Sequence, residues 1–133
     1  MKYEDNHKIG KLVAVEDHGT TVSIWVDHDE PIPIDWRMFN AIVECEGPDL
    51  IGRSVDYNIE DGSIAFLEKG IYKSTRHSFG SSRTINIEAE NGNDWNLHTD
   101  FEELPNITKG LKKGQKVLVE RRYPNETFKL YER

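Results

Sequence analysis

Cysteine is almost absent from this chain: Cys45 is the only one among its 133 residues. A single cysteine excludes an internal disulfide and a zinc site made of several cysteines. Disulfides are typical of oxidising compartments, so this composition predicts a cytoplasmic protein. The chain also lacks a run of about eighteen apolar residues, which argues against a membrane-spanning helix. Residues 1–7 lack the apolar segment of a signal peptide.

Apolar residues and positive charge are both in short supply. Hydrophobic residues make up 36% of the chain, and the formal net charge is −7. Residues 1–69 contain 6 Lys and Arg against 15 Asp and Glu, whereas residues 70–133 contain 11 against 9. The acidic first half argues against a polyanion-binding protein that uses both halves equally.

An internal repeat, offset by about 60 to 64 residues, organises the rest of the sequence. Gly10 and Gly70 open its two copies. A repeat of this size is a whole small domain rather than a solenoid unit, so we predict two related domains, residues 1–69 and 70–133. The matched segments are Leu50–Val55 with Leu111–Val117, and Ser63–Lys69 with Thr127–Arg133.

Alternation of apolar and polar residues predicts five strands in each half. In the first half, Pro31 and Pro33 flank the third strand, which places it at a sheet edge. Asp35 is the capping residue of a predicted helix over residues 36–46, which ends at Gly47-Pro48. In the second half, Pro105 limits any helix to about one turn.

A helix between the third and fourth of five strands is the layout of an OB-type barrel. We therefore predict an all-β protein of two tandem five-stranded OB-like barrels, related by internal duplication, with a short helix in the first. The first barrel is acidic and the second weakly basic.

The second half resembles a cold-shock domain. The similar segments are Gly70-Ile71-Tyr72-Lys73 at the opening strand, Asp94-Trp95-Asn96-Leu97-His98 at the third strand, and residues 110–120 at the start of the fourth. The resemblance implies a small barrel that binds single-stranded nucleic acid. Where that family has its stacking aromatic rings, this chain has Ser74 and Thr75 after Lys73, and Ser81 and Ser82 after Gly80.

Cations and rings on the second barrel are the candidate nucleic-acid site, because cations hold phosphates and rings stack bases. Alternation places Lys73 and Arg83 on an exposed face, with Trp95 near them. The alternative is that Trp95 packs between the barrels while the cations pair with the acidic first half. The candidate residues are Lys73, Arg76, Phe79, Arg83, Trp95 and His98.

Two other groups of residues are candidates, one for a metal site and one for a catalytic nucleophile, but we expect neither a metal site nor an enzyme. The run Asp27-His28-Asp29-Glu30 offers hard oxygen ligands, yet only Asp27 and Asp29 would converge on a strand, so we expect a solvated acidic loop. Serines near His77 lack the turn and oxyanion motif of a nucleophile. Cys45 lies on the predicted helix, where we expect it to be a small buried hydrophobe.

These observations predict a non-catalytic binding protein without a cofactor. The leading hypothesis is weak binding of single-stranded RNA or DNA through the second barrel. The alternative is a protein-interaction module, with a basic partner docked on the acidic first barrel.

Overall fold

The computed structural model describes residues 6–77, 80–90, 94–100, 102–108 and 110–133. Within these ranges the chain forms nine strands and two short helices, which confirms the all-β class. No helix of this described part is long and apolar enough to cross a membrane. The elements are β1 (His7–Asp17), β2 (Thr21–Val26), β3 (Ile32–Asp35), α1 (Trp36–Glu46), β4 (Ser54–Asn58), β5 (Ile64–His77), β6 (Ser82–Ala89), β7 (Asp94–Asp100), α2 (Leu104–Ile107), β8 (Lys116–Tyr123) and β9 (Thr127–Glu132).

Helix α1 confirms the helix predicted from its capping residues. The side chain of Asp35 accepts a 2.9 Å hydrogen bond from the N–H of Arg37, which satisfies one backbone donor at the helix start. Gly47, at φ 89°, ends the helix, and its N–H donates to the carbonyl of Val43 at 2.9 Å. In the second half α2 is a single turn with Pro105 in its first positions.

The strands form an open sheet rather than the two closed barrels that the sequence predicts. Their order is β3-β2-β1-β4-β5-β6-β7, with β8 paired to both β5 and β9, so β3 lies at the predicted edge. The predicted domain junction, Lys69-Gly70, lies inside the 14-residue strand β5. Strand β5 pairs with β4 through residues 64–67 and with β6 through residues 70–77.

Gly70 lies where β5 and β6 approach each other closely. A Cβ at this position would lie 2.7 Å from Cγ2 of Ile87 and 2.9 Å from the carbonyl oxygen of Glu88. Only glycine therefore allows the two strands to approach this closely.

The chain divides into two compact units, each with its own core. Unit 1 is residues 1–67 and 121–127, and unit 2 is residues 68–120 and 128–133. Unit 1 has 7 Lys and Arg against 15 Asp and Glu, a net charge of −8, whereas unit 2 has 10 against 9. The core of unit 1 contains Leu12, Val22, Ile24, Val26, Ile32, Ile34, Ile42, Leu50, Val55, Ile64, Phe66 and Tyr123. The core of unit 2 contains Ile85, Ile87, Leu97, Val117 and Val119.

The first strand of each unit contains a β-bulge. In β1 the register with β2 shifts between Leu12 and Ala14, so that Val13 is the extra residue. In β5 the register with β6 shifts between Tyr72 and Ser74, so that Lys73 is the extra residue. A bulge bends its strand and redirects a side chain. Val13 and Lys73 thus occupy corresponding positions in their units.

Candidate functional site

An open groove with a volume of about 490 Å³ lies on unit 1, on the surface of β1 and β2. Alternate residues of β2 fill the core, so Trp25 points to the opposite face, where it is half-buried. Its cross-strand neighbour is the small Ala14. The residues that line the groove are Val13, Ala14, Val15, Glu16, Trp25, Asp27, His28 and Asp29.

Asp27 is held rigidly at the end of β2. Its φ of 56° is left-handed, a conformation that few non-glycine residues adopt, although aspartate tolerates it better than most. Its N–H donates to the carbonyl of Lys11 at 2.7 Å, and its Oδ1 accepts from the N–H of Lys11 at 3.0 Å. A Cβ at Gly10 would lie 2.1 Å from Oδ2 of Asp27, so this carboxylate occupies the space that a side chain at Gly10 would need.

The groove is negatively charged along its length. Glu16, Asp27 and Asp29 are exposed carboxylates, and no described residue that lines the groove is a lysine or arginine. Within the described ranges, no three His, Cys, Asp or Glu side chains lie together as metal ligands. The groove therefore combines three carboxylates with the aromatic ring of Trp25.

Three residues of the predicted nucleic-acid site lie on one face of unit 2. Lys73 and Arg76 are exposed residues of β5. Thr84 pairs with Arg76 on one neighbouring strand and with His98 on the other, so the side chains of Arg76 and His98 lie on the same face of the sheet. Nζ of Lys73 lies 3.5 Å from Oε1 of Glu88. Of the six predicted residues, Phe79 lies outside the described part of the chain.

Arg83 and Trp95 are not brought beside Lys73, contrary to the expected arrangement. Side chains two positions apart on a strand share a face, so Arg83 lies on the side of the buried Ile85. Trp95 is the cross-strand neighbour of Ile87 and packs against the core of unit 2. The guanidinium of Arg83 donates to the carbonyl oxygen of Ser82 at 2.9 Å.

A buried carboxylate in unit 1 has no counterpart in the sequence prediction. The side chain of Glu46 is fully buried, and its Oε1 accepts from Arg53 at 2.8 Å and from Arg121 at 2.6 Å. The hydroxyl of Tyr123 donates to Oε2 of the same carboxylate. The pKa of Tyr123 is raised, mainly by burial and secondly by its hydrogen bond to Glu46. No local pattern marks Glu46 and Arg121 as partners, because they are 75 positions apart.

A neighbouring ion pair joins the last residues of β8 to β4. Arg122 Nη2 lies 3.0 Å from Oδ2 of Asp56, and its Nη1 donates to Oγ of Ser63 at 2.9 Å. Oδ1 of Asp56 lies 2.6 Å from Nδ1 of His7. Residues 121–127 therefore belong to unit 1 through specific polar contacts.

Cys45 is exposed rather than buried, which corrects the expectation for the helix. The C-terminal end of α1 turns Glu46 into the interior instead. The thiol donates to Oε1 of Glu126 at 3.6 Å. Desolvation, followed by the charge of Glu126, raises the pKa of this thiol and opposes thiolate formation.

Comparison with known proteins supplies no family. No family model matches the chain, and no curated protein matches it. Among solved structures, the cytoplasmic molybdate-binding protein ModG, with molybdate bound, matches over 100% of both chains at 12% sequence identity and a TM-score of 0.41. A likeness at this level transfers no ligand and no residue role to this chain.

Proposed function

We propose that this protein is a non-catalytic binding module, and that a basic polypeptide partner docks in the groove of unit 1. The observation that carries the proposal is the placement of Trp25 in one open groove with Glu16, Asp27 and Asp29. An aromatic anchor with charge complementary to the partner is typical of the residues that dominate binding energy at interfaces.

The chemistry of the groove suits a side-chain cation. An indole face attracts ammonium and guanidinium groups, and carboxylates accept their charge-assisted hydrogen bonds. A volume of about 490 Å³ is in the usual range for a ligand site. The net charge of −8 on unit 1 also favours encounter with a basic partner and disfavours nucleic acid.

Nucleic-acid binding through unit 2 stays a prediction, and we rank it second. Lys73 already has a carboxylate partner in Glu88, and Trp95 packs against the core rather than beside the cations. Of the predicted residues on the outer face, Arg76 then remains to offer a cation and His98 a ring to a single strand of nucleic acid.

We also propose that the two units arose by duplication of one OB-like domain in a cytoplasmic protein. The corresponding bulges at Val13 and Lys73 support this history. So does a pair of backbone hydrogen bonds that recurs in each unit between the residue before the bulge and a glycine turn. These bonds are Leu12 N to Arg53 O (2.9 Å) and Gly52 N to Leu12 O (2.7 Å), and Tyr72 N to Gln115 O (2.9 Å) and Gly114 N to Tyr72 O (2.8 Å).

The test of the function is a titration of the full chain with a fluorescent peptide of alternating arginine and serine. The groove variant carries Glu16→Gln and Asp29→Asn. The control variant carries Glu44→Gln and Glu60→Gln, two exposed carboxylates of unit 1 that do not line the groove, so both variants lose the same charge. We expect the groove variant to bind about three- to tenfold more weakly than the control variant. Absence of wild-type binding at low salt would contradict the function.

A further inference from the structure

Unit 2 contains a cation at the position where the groove of unit 1 has none. The bulge residue Lys73 places its Nζ 3.5 Å from Oε1 of Glu88. Glu88 is the cross-strand neighbour of Ile71, two residues before the bulge. This lysine–carboxylate pair therefore joins the bulge of β5 to the end of β6.

The same two positions in unit 1 hold Val13 and Asp27. Asp27 exchanges hydrogen bonds with Lys11, which is two residues before the bulge at Val13, so it occupies the position of Glu88. The carboxylate is retained, but an apolar side chain stands where unit 2 has its cation. Val13 and Asp27 both line the groove.

We infer that the groove of unit 1 is a socket for one side-chain cation of the partner, a guanidinium or ammonium group, which takes the place that Lys73 takes in unit 2. This inference rests on the proposed function and deepens it, because it names the group that is recognised. The partner completes a charge pair that unit 2 makes within its own chain.

The neighbouring side chains differ between the units in the way that such a socket requires. Next to the bulge, Ala14 faces Trp25 in unit 1, whereas Ser74 faces Asn86 in unit 2. The amide of Asn86 donates to Oδ1 of Asn96 at 2.9 Å and offers no ring. In unit 1, Trp25 and Asp27 both line the groove, so a cation that enters it meets an aromatic ring and a carboxylate.

The carboxylate of the socket is already positioned before binding. The N–H of Lys11 holds Oδ1 of Asp27, and the bare backbone of Gly10 leaves room for Oδ2. Little side-chain freedom is therefore lost when a cation arrives. A guanidinium stacks flat on an indole and is less strongly hydrated than an ammonium. We expect an arginine peptide to bind about two- to fivefold more tightly than the matched lysine peptide.

The decisive variant is Val13→Lys, which supplies the cation within the chain as Lys73 does in unit 2. Its control is Val13→Met, which adds a similar unbranched stem without charge. We expect Val13→Lys to weaken binding of the arginine–serine peptide about tenfold or more relative to Val13→Met. Near-ultraviolet circular dichroism checks that both variants fold.

A second variant keeps the test decisive if Val13→Lys fails to fold. Asp27→Asn retains an oxygen for the N–H of Lys11 and a residue type that tolerates positive φ, but it removes the charge. We expect this variant to remain folded and to bind the peptide about tenfold more weakly. Full binding by Val13→Lys, or by Asp27→Asn, would overturn the socket while the proposed function stands. Failure of the wild type to bind would overturn the function itself.

Discussion

The buried carboxylate of Glu46 accepts a 2.6 Å hydrogen bond from the guanidinium of Arg121, 75 positions later in the chain. This contact joins the end of α1 to the last residues of β8, within unit 1. Arg53 and Tyr123 bind the same carboxylate, so three donors surround one buried charge. Unit 1 is therefore completed by residues that lie near the other end of the sequence.

Removal of this carboxylate should strongly destabilise the protein. Glu46→Ala leaves two largely buried guanidinium groups without their shared partner, and breaking a buried pair in this way costs about 3–5 kcal/mol in free energy of unfolding. Urea denaturation measures the change. Glu44→Ala, at an exposed position of the same helix, is the control and should cost less than about 0.5 kcal/mol. Equal costs for the two variants would show that the Glu46 cluster contributes no special stability.

The hydroxyl of Tyr123 should make stability depend on pH in the alkaline range. Burial and Glu46 raise the pKa of this phenol above its ordinary value of 10.0. Above that pH the unfolded chain loses the phenolic proton while the folded chain keeps it, so the stability is fully present below pH 10 and falls as pH rises. Tyr123→Phe should cost about 1–3 kcal/mol at neutral pH, because it leaves a buried carboxylate oxygen with one donor fewer.

Denaturation of wild type and Tyr123→Phe at several pH values checks this dependence. The stability difference between the two proteins should shrink as pH rises above 10. A difference that stays constant across the alkaline range would contradict the raised pKa of Tyr123.

Gly10 and Asp27 should be energetically coupled. Gly10→Ala drives a Cβ into the carboxylate of Asp27 and should cost about 1–3 kcal/mol in unfolding free energy. In the background of Asp27→Gly, which removes that carboxylate and suits the positive φ, the same substitution should cost much less. A double-mutant cycle measured by thermal or urea unfolding gives the coupling. Additive costs would mean that Asp27 does not occupy the space above Gly10.

Single-stranded oligonucleotide should bind weakly and only at low salt. If it binds through Lys73 and Arg76, the slope of log K against log salt should correspond to about two phosphates, at roughly 0.7 per phosphate. Lys73→Ala should then reduce the slope by roughly 0.7. Fluorescence anisotropy of a labelled oligonucleotide at several salt concentrations measures this slope. Tight binding at physiological salt would favour the nucleic-acid hypothesis over the groove.

Local sequence signals predicted the elements that depend on neighbouring residues. The cap at Asp35 and the stop at Gly47 located α1, because both act through backbone groups a few residues away. The proline-flanked strand was placed correctly at an edge for a similar local reason. The sequence predicts separate strands on the two sides of Gly70, whereas β5 includes it, because this glycine allows β5 and β6 to lie close together rather than forming a turn.

The groove was only partly predictable. The acidic run at Asp27 and Asp29 is visible in the sequence, whereas the position of Trp25 opposite Ala14 depends on the pairing of β1 with β2. The bulge at Val13 is defined by the pairing of β1 with β2, so the sequence of β1 alone does not predict it. The pairing of Glu46 with Arg121 likewise needs the fold.

Nuclear magnetic resonance of the full ¹⁵N-labelled chain, titrated with the arginine–serine peptide, is the most direct test of a basic partner in the groove of unit 1. Amide shift changes show where the peptide binds, independently of any substitution. We expect changes concentrated at residues 13–16 and 25–29, including the indole N–H of Trp25. Changes confined to other residues, or none at low salt, would contradict a basic partner in the groove of unit 1.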